Sequence, residues 1–523
     1  SVWRALTNAQ IDYKVHFLPD LHLNVNVGYD YTKSNGAVTN YDGYGSAAVN
    51  SKGGSWNKYT QEKKNKLLET YFNYTKEISS IKTKVDITGG YSYQSFEYDT
   101  PPTIVYYTRG IPDDPTLAAA GKLVLLGFYG RGIVTFDNKY ILTGTIRRDG
   151  SSRFFNGTKD NVWGNFASGA FAWKVKEESF LKNSNTVSDL KLRLGYGQTG
   201  QQDIGGYYPS YANYTISQGA SQYQFGSTFY TMYRPAIYNE NLKWETTNTA
   251  NAGLDFGFLN NRISGSFDVF QKNTRDLLAT VPIAAGNFSN KNTLNVGKME
   301  IKGLEASITL VPIKKENLTW DVNFNASHYK SKVTDLGVNF PEGFAMRSSS
   351  GNIAGGTDQW ILANSVGQPA NSFYVYQQVY DASGKPIEGV YVDRNNDGVI
   401  NDKDRYFYKS INPDVTLGFN TKLNYKKWDF SMTMRAVLGN YVYNNSASNS
   451  SIQSLATNEY IQNINSLSAD YNFTAPQYYS DIFVENASFL RLDNVNVGYN
   501  FGEVFGPKSN LKVYALLQNV FVI

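Results

Sequence analysis

The chain has 523 residues, with 49 Lys and Arg against 45 Asp and Glu and a net charge of +4. Its basic residues are scattered instead of striped, which excludes the electrostatic footprint of a nucleic-acid binder. The absence of cysteine removes disulfides, thiolate metal sites and cysteine nucleophiles.

Read from the N-terminus, the first long element is an alternation. Leu21, Leu23, Val25, Val27, Tyr29 and Tyr31 stand against His22, Asn24, Asn26, Gly28, Asp30 and Thr32. A period of two puts one set on each face of a β-strand. The pattern recurs at Ala250, Ala252, Leu254, Phe256 and Phe258, then at Leu318, Trp320, Val322, Phe324 and Ala326. These runs exceed the roughly 9–11 residues that a tilted strand needs to cross a bilayer. No window approaches the roughly 18 consecutive apolar residues of a membrane helix. An apolar face opposite a hydrated one predicts an all-β fold, a transmembrane antiparallel β-barrel. The 40 Tyr, 30 Phe and 8 Trp would supply its aromatic girdles, or be ordinary strand-core residues.

The alternation predicts about sixteen long strands in one architectural unit, residues 1–523. Short turns are expected at Pro19-Asp20, Asp137-Asn138 and Asn260-Asn261, where residues tolerate tight turns. Long connections are expected at 34–61, 99–122, 201–240, 335–413 and 443–484, and a short helix at Glu177–Lys182. Alternating short and long connections fit periplasmic turns and extracellular loops. The opening Ser1-Val-Trp-Arg carries no leader pattern, and Val520-Phe-Val-Ile523 stops inside a strand-like run. An open barrel would leave strand edges unpaired in lipid, so we expect a fragment of a longer chain.

Among the motifs, Gly195-Tyr-Gly-Gln-Thr-Gly200 satisfies a dinucleotide pattern, but loop-forming residues follow where a helix is required. The glycines are expected to serve a strand end and a tight turn. The Asp393–Asp404 segment has calcium-loop spacing: Asp393, Asn395, Asp397, Asn401 and Asp404 as oxygen ligands, Gly398 at the turn and Val399 offering its carbonyl. A structural Ca²⁺ is the expectation, and a solvated acidic turn the bland alternative. His16, His22 and His328 are far apart, expected on strands, and build no catalytic or metal set. Acidic pairs at Asp113-Asp114 and Glu177-Glu178 lie in turn-like or helix-start contexts, and no catalytic signal emerges. The aromatic loop holding Tyr207, Tyr208, Tyr211, Tyr223 and Tyr230 is a candidate for substrate or partner contact, against loop-internal packing.

Arg148-Asp-Gly-Ser-Ser-Arg153, Trp163–Trp173, Glu178-Ser-Phe-Leu181 and Leu190–Gly200 occur in that order. They are followed by Asn241-Leu-Lys-Trp-Glu-Thr-Thr247, Thr274-Arg-Asp-Leu-Leu278, Asn295-Val-Gly-Lys298, Gly303-Leu-Glu305, Gly367-Gln-Pro369 and Ala487–Phe501. Together they resemble the SusC/RagA-like TonB-dependent transporters of Bacteroidota outer membranes, along essentially the whole chain. The resemblance implies a barrel of about 22 strands with an N-terminal plug. Plug and TonB box are absent from these residues. It implies import of oligosaccharides or peptides through the bacterial outer membrane, with a SusD-like surface lipoprotein as lid and TonB-ExbB-ExbD as energy source. It implies no enzyme activity. A non-transport outer-membrane barrel, serving assembly or adhesion, shares the strand signature. A soluble carbohydrate-binding β-protein or enzyme fits the outward apolar stripes less well.

Overall fold

The computed structural model describes the chain apart from residues 43–51, 110–115, 117, 159–160, 218–221, 284–285, 287–290, 338–343, 349, 355, 357–358 and 453–462. Among the described residues no helix is long and apolar enough to cross a membrane. The chain is all-β. Its sixteen long strands are β1 (Val2–Lys14), β2 (Leu21–Asn40), β3 (Ser55–Ile78), β4 (Thr83–Thr100), β5 (Ala119–Phe136), β6 (Tyr140–Ser151), β7 (Trp163–Lys174) and β8 (Val187–Gln201), then β9 (Glu245–Phe258), β10 (Ile263–Arg275), β11 (Lys298–Lys315), β12 (Leu318–Asp335), β13 (Val415–Tyr425), β14 (Trp428–Leu438), β15 (Phe489–Gly502) and β16 (Leu511–Val522).

By contacts the chain falls into two compact units. The first comprises Ser1–Phe171, Tyr196–Thr247 and Leu278–Asn295. Within it β1 through β6 pair consecutively and antiparallel. Pairing residues share a face, so each register row reads as one side of the wall. Tyr13, Leu23, Phe72, Gly89, Gly130 and Ile146 form one apolar row, and Ile11, Val25, Thr70, Tyr91, Phe128 and Arg148 the next. Two rows further along, Tyr29 pairs with Lys66, and beyond it Tyr31 pairs with Lys64, which faces Glu97. The apolar band therefore ends at a tyrosine pair, and charged residues continue on the same face. On the opposite face Asp30 accepts Arg4 and Asn65, and Asn26 bonds Glu69.

The second unit comprises Ala172–Gly195, Asn248–Leu277 and Val296–Ile523. Here β10 through β16 pair consecutively and antiparallel. On β15 the two faces separate: Asn496 hydrogen-bonds Asp429, and Lys512 pairs with the same carboxylate at 2.6 Å. Val497 and Phe501 are exposed on the other face. The polar face also carries a charge ladder, with Lys191 and Arg193 on Asp255 at 2.6 and 2.8 Å and Arg193 on Asp268 at 2.8 Å.

The short turns lie where the sequence places them, with Asp137, Asn138, Asn260 and Asn261 at positive φ. Several details differ. The strands run deeper into the loops, so the expected 34–61 connection shrinks to 41–54 and the expected 99–122 to 101–118. The 443–484 connection instead widens to 439–488. A further long connection, 276–297, holds its own hairpin of Leu278–Pro282 and Lys291–Asn295. The expected helix at Glu177–Lys182 is a 3₁₀ turn at Val175–Glu177 followed by irregular turns. Lys176 Nζ donates to the carbonyls of Leu181, Lys182 and Ser184, which rounds the chain before a helix can propagate. All three glycines of Gly195–Gly200 lie inside β8 instead of at a turn, with the Phe166 ring occupying the Cβ position of Gly200.

Candidate functional site

The two longest connections of the second unit, 336–414 and 439–488, fold into one body with its own apolar core. Ile353, Ile361, Leu362, Phe373, Val375 and Val484 are buried together. A four-stranded sheet of Met346–Arg347, Leu362–Asn364, Ser372–Val375 and Tyr406–Ser410 frames them. A second core gathers Ala447, Ile452, Phe473 and Phe483. Backbone bonds join the two connections: Tyr376 N–H donates to the Tyr479 carbonyl at 2.8 Å, and Asp481 N–H to the Tyr376 carbonyl at 3.0 Å. Side chains reinforce the seam, with Tyr406 Oη donating to Asp481 at 2.8 Å, Tyr391 Oη to Gln477 at 2.6 Å and Ser480 Oγ to Gln378 at 2.7 Å. Burial pushes the Tyr391 phenol up to about 12. It also raises Tyr406, with the Asp481 carboxylate adding to the shift, and Tyr443. These phenols stay neutral donors across the physiological range.

The acidic segment closes against this body. Asp404 is fully buried, and its carboxylate accepts the backbone N–H of Asn401 at 2.8 Å, Arg394 at 3.0 Å and Asn395 at 3.4 Å. Those backbone donors, Asn401 first, hold its carboxyl below the usual range. Asp393 accepts Asp397 and Gly398 N–H at 3.3 and 2.8 Å, and Asn395 and Asp397 accept Asp397 and Val399 N–H at 3.0 and 2.9 Å. Asn401 Nδ2 donates to the Val399 carbonyl at 3.1 Å, and Gly398 turns the chain at φ +79°. The loop is thus wrapped by its own N–H groups, and among the described residues no three His, Cys, Asp or Glu side chains gather as a metal cluster. Asp393 accepts two backbone N–H bonds with a carboxylate that has about four lone pairs, so hard-oxygen capacity remains on it.

In the first unit, the residues after β6 tie loops together. Arg153 is buried and donates to the Gln202 carbonyl, Gln202 Oε1, the Gly206 carbonyl and Asp203, the last at 2.6 Å. Trp244 rests on Phe154 and Phe166 and donates to the Val162 carbonyl at 3.0 Å. Asn295 accepts the N–H of Lys243 and donates to its carbonyl. The motifs around Arg148–Arg153, Asn241–Thr247 and Asn295 therefore act as clamps at the loop bases.

The five candidate tyrosines divide. Tyr207 packs tilted against Tyr98, ring centroids 4.8 Å apart, and Tyr208 Oη accepts Lys122 N–H at 3.1 Å, so these two seat the loop on β4 and β5. Tyr211 is exposed; Tyr223 and Tyr230 face each other across a hairpin, both open to solvent. Phe225 and Phe229 of the same hairpin are exposed too, as is Tyr233 in the neighbouring strand pair with Tyr214–Ile216. Of the histidines, His16 lies in a turn instead of a strand, His22 pairs with Asp12 at 2.9 Å, and His328 contacts the Asp414 carbonyl. Glu178 accepts the Trp173 indole at 3.0 Å, while Asp113-Asp114 lies outside the described residues.

A family described as TonB dependent receptor-like, β-barrel, matches residues 3–520. The chain is 41% identical to the TonB-dependent receptor SusC of Bacteroides thetaiotaomicron, over 99% of this chain and 52% of SusC. It is 30% identical to TonB-dependent receptor P3 of Formosa agariphila, over 86% of this chain and 47% of that protein. It thus spans about half the length of the curated relatives it matches. In fold it is similar to the RagAB peptide importer in its closed-closed state, with a TM-score of 0.80 at 20% identity, covering 100% of this chain and 58% of that one.

Proposed function

Because this chain belongs to the TonB-dependent receptor β-barrel family of the bacterial outer membrane, we propose that the whole protein imports nutrients too large for diffusion, oligosaccharides or peptides. The family consists of transporters, not enzymes. A SusD-like surface lipoprotein would close over the loops, and TonB-ExbB-ExbD would supply energy through the part of the protein outside this chain. The observation that carries the reading is the loop body of 336–414 and 439–488: a cored platform borne by strands whose polar face is ion-paired. Rigid loops present a docking surface without an ordering penalty, and a polar wall lets a hydrated solute pass. The exposed aromatic hairpin of Tyr223–Phe225 and Thr228–Tyr230, with Tyr211, would meet sugar rings, peptide side chains or the lid. Deleting the encoding gene should abolish growth on the cognate polymer, and a variant lacking the hairpin tip at Phe225 to Thr228 should bind that polymer or the lipoprotein more weakly. Unchanged growth on every polysaccharide and peptide source tried would oppose import.

The Asp393–Asp404 loop we assign to one structural Ca²⁺, held by Asp393, Asn395, Asp397 and Asn401 side chains with the Val399 carbonyl. Asp404, whose oxygens receive three N–H bonds, braces the loop from behind. The support is the chemistry of the donors, hard oxygens at calcium-loop spacing, and the lone pairs left on Asp393. The ion would pin the loop and perform no chemistry.

A further inference from the structure

We propose that the lipid-facing wall of the first unit holds one phosphate-bearing lipid of the surrounding leaflet. Its acyl chain would lie in a groove floored by Gly130, and its phosphate would lie on Arg148. The groove encloses about 1020 Å³ and belongs to the apolar face. It exists because Gly130 on β5 carries no side chain, while the space over its register partner Gly89 on β4 is taken by the Phe72 ring, which becomes a side of the groove. A Cβ at Gly130 would have only Ile146 Cγ1 near it, at 3.7 Å. Leu23, Val25, Phe72, Phe128 and Ile146 form the sides. All five are more than a third exposed on the face that meets hydrocarbon, and Ile146 is 68% exposed. A trough of this kind offers an acyl chain contact on three sides, where a smooth wall offers one.

The end of the groove carries the charge. Arg148 lies near the end of β6, on the same side of the wall as Phe128, with its guanidinium 5.2 Å from the Trp163 ring centroid. Its neighbour Arg147 points to the polar face and takes the nearby carboxylate, Asp149, at 2.7 Å. Among the described residues no carboxylate pairs with Arg148. An unpaired cation bordering hydrocarbon is expensive unless an anion meets it there, and an aromatic belt residue beside it marks the headgroup level. Asn165 and Gln198, which also line the groove, add neutral hydrogen-bonding groups. An apolar trough ending in a lone guanidinium, with two amides among its lining, is complementary to an acyl chain ending in a phosphate. A soluble substrate would travel along the opposite face, so this site is independent of the import reading.

The test uses the full-length transporter containing this chain, placed in nanodiscs of phosphatidylglycerol or phosphatidylcholine and then released into detergent for native mass spectrometry. The wild type should retain one phosphatidylglycerol and little phosphatidylcholine. Arg148→Gln should lower that occupancy roughly tenfold, the loss of a hydrogen bond to a charged group. Gly130→Leu should lower it by filling the trough, with barrel folding checked by heat-modifiable migration on gels. Should Gly130→Leu not fold, Ile146→Trp fills the same trough from its exposed side. Equal retention in the Arg148→Gln and trough-filled proteins, or equal retention of both lipids by the wild type, means annular contact only and overturns the proposal.

Discussion

The Arg405 guanidinium lies 3.6 Å from the ring centroid of Tyr479, so a residue of the 336–414 connection is seated on one from 439–488. The same arginine pairs with Asp402 at 2.8 Å and approaches Tyr376 at 5.1 Å. It thereby links the acidic loop to the seam between the two connections.

Replacing Arg405 with Ala should loosen that seam by roughly 1–2 kcal/mol, the value of a largely desolvated cation–π contact. Hydrogen exchange should quicken at Tyr376, Gln378 and Asp481 while β13 and β14 keep their protection. Exchange unchanged at the seam would mean that the backbone bonds alone hold it.

Arg153→Ala should free the start of the 202–244 connection, because the Gln202 and Gly206 carbonyls lose their donor. About 2 kcal/mol of local stability should go, and Arg153→Lys should restore little, since one ammonium cannot reproduce the fork. Limited proteolysis between residues 202 and 212 reads this out; a lysine variant as resistant as wild type would refute the fork argument.

The Asp404 carboxyl titrates below its unfolded value, held there first by Asn401 N–H. Its stabilisation is therefore fully present above the ordinary carboxylate range and is lost as pH falls through the lowered folded value. Residues 393–405 should lose exchange protection on acidification, and Asp404→Asn should show several-fold faster exchange there at neutral pH. Separately, Asp397→Ala should abolish a terbium luminescence signal that calcium displaces from wild type; no signal in wild type would leave the loop a cation-free turn.

Val497→Arg should destabilise the barrel by roughly 2–4 kcal/mol, whereas Asn496→Arg should be milder because it joins the polar network of Asp429 and Lys512. Unfolding titrations in detergent or lipid would rank the two, and a reversed order would exchange the faces of β15.

The strands and faces were legible because period-two alternation is a local signal, as in Leu21 to Tyr31. Turns at Asp137-Asn138 and Asn260-Asn261 were legible for the same reason, since their positive φ favours particular residues. The loop body was not. Its contacts join residues about a hundred positions apart, as Tyr376 to Tyr479 and Gln378 to Ser480, and no periodicity announces them. The clamp residues Arg153, Trp244 and Asn295 stood within the resembling motifs, but their roles as loop anchors depend on partners remote in sequence. The Glu177–Lys182 segment misled because its composition suits a helix while Lys176 binds three carbonyls across the turn.

Strand β3 has 24 residues, more than twice the roughly 9–11 that a bilayer requires. The change from Leu68 to Lys66 and Lys64 on its outward face divides one strand between two environments. Below that boundary a substitution is judged by hydrocarbon, which penalises any charge. Above it the same face stands in water, which tolerates charge. The outward face of one hydrogen-bonded ribbon thus answers to two solvents: hydrocarbon up to Leu68, where only apolar side chains sit cheaply, and water from Lys66 onward, where charge costs little.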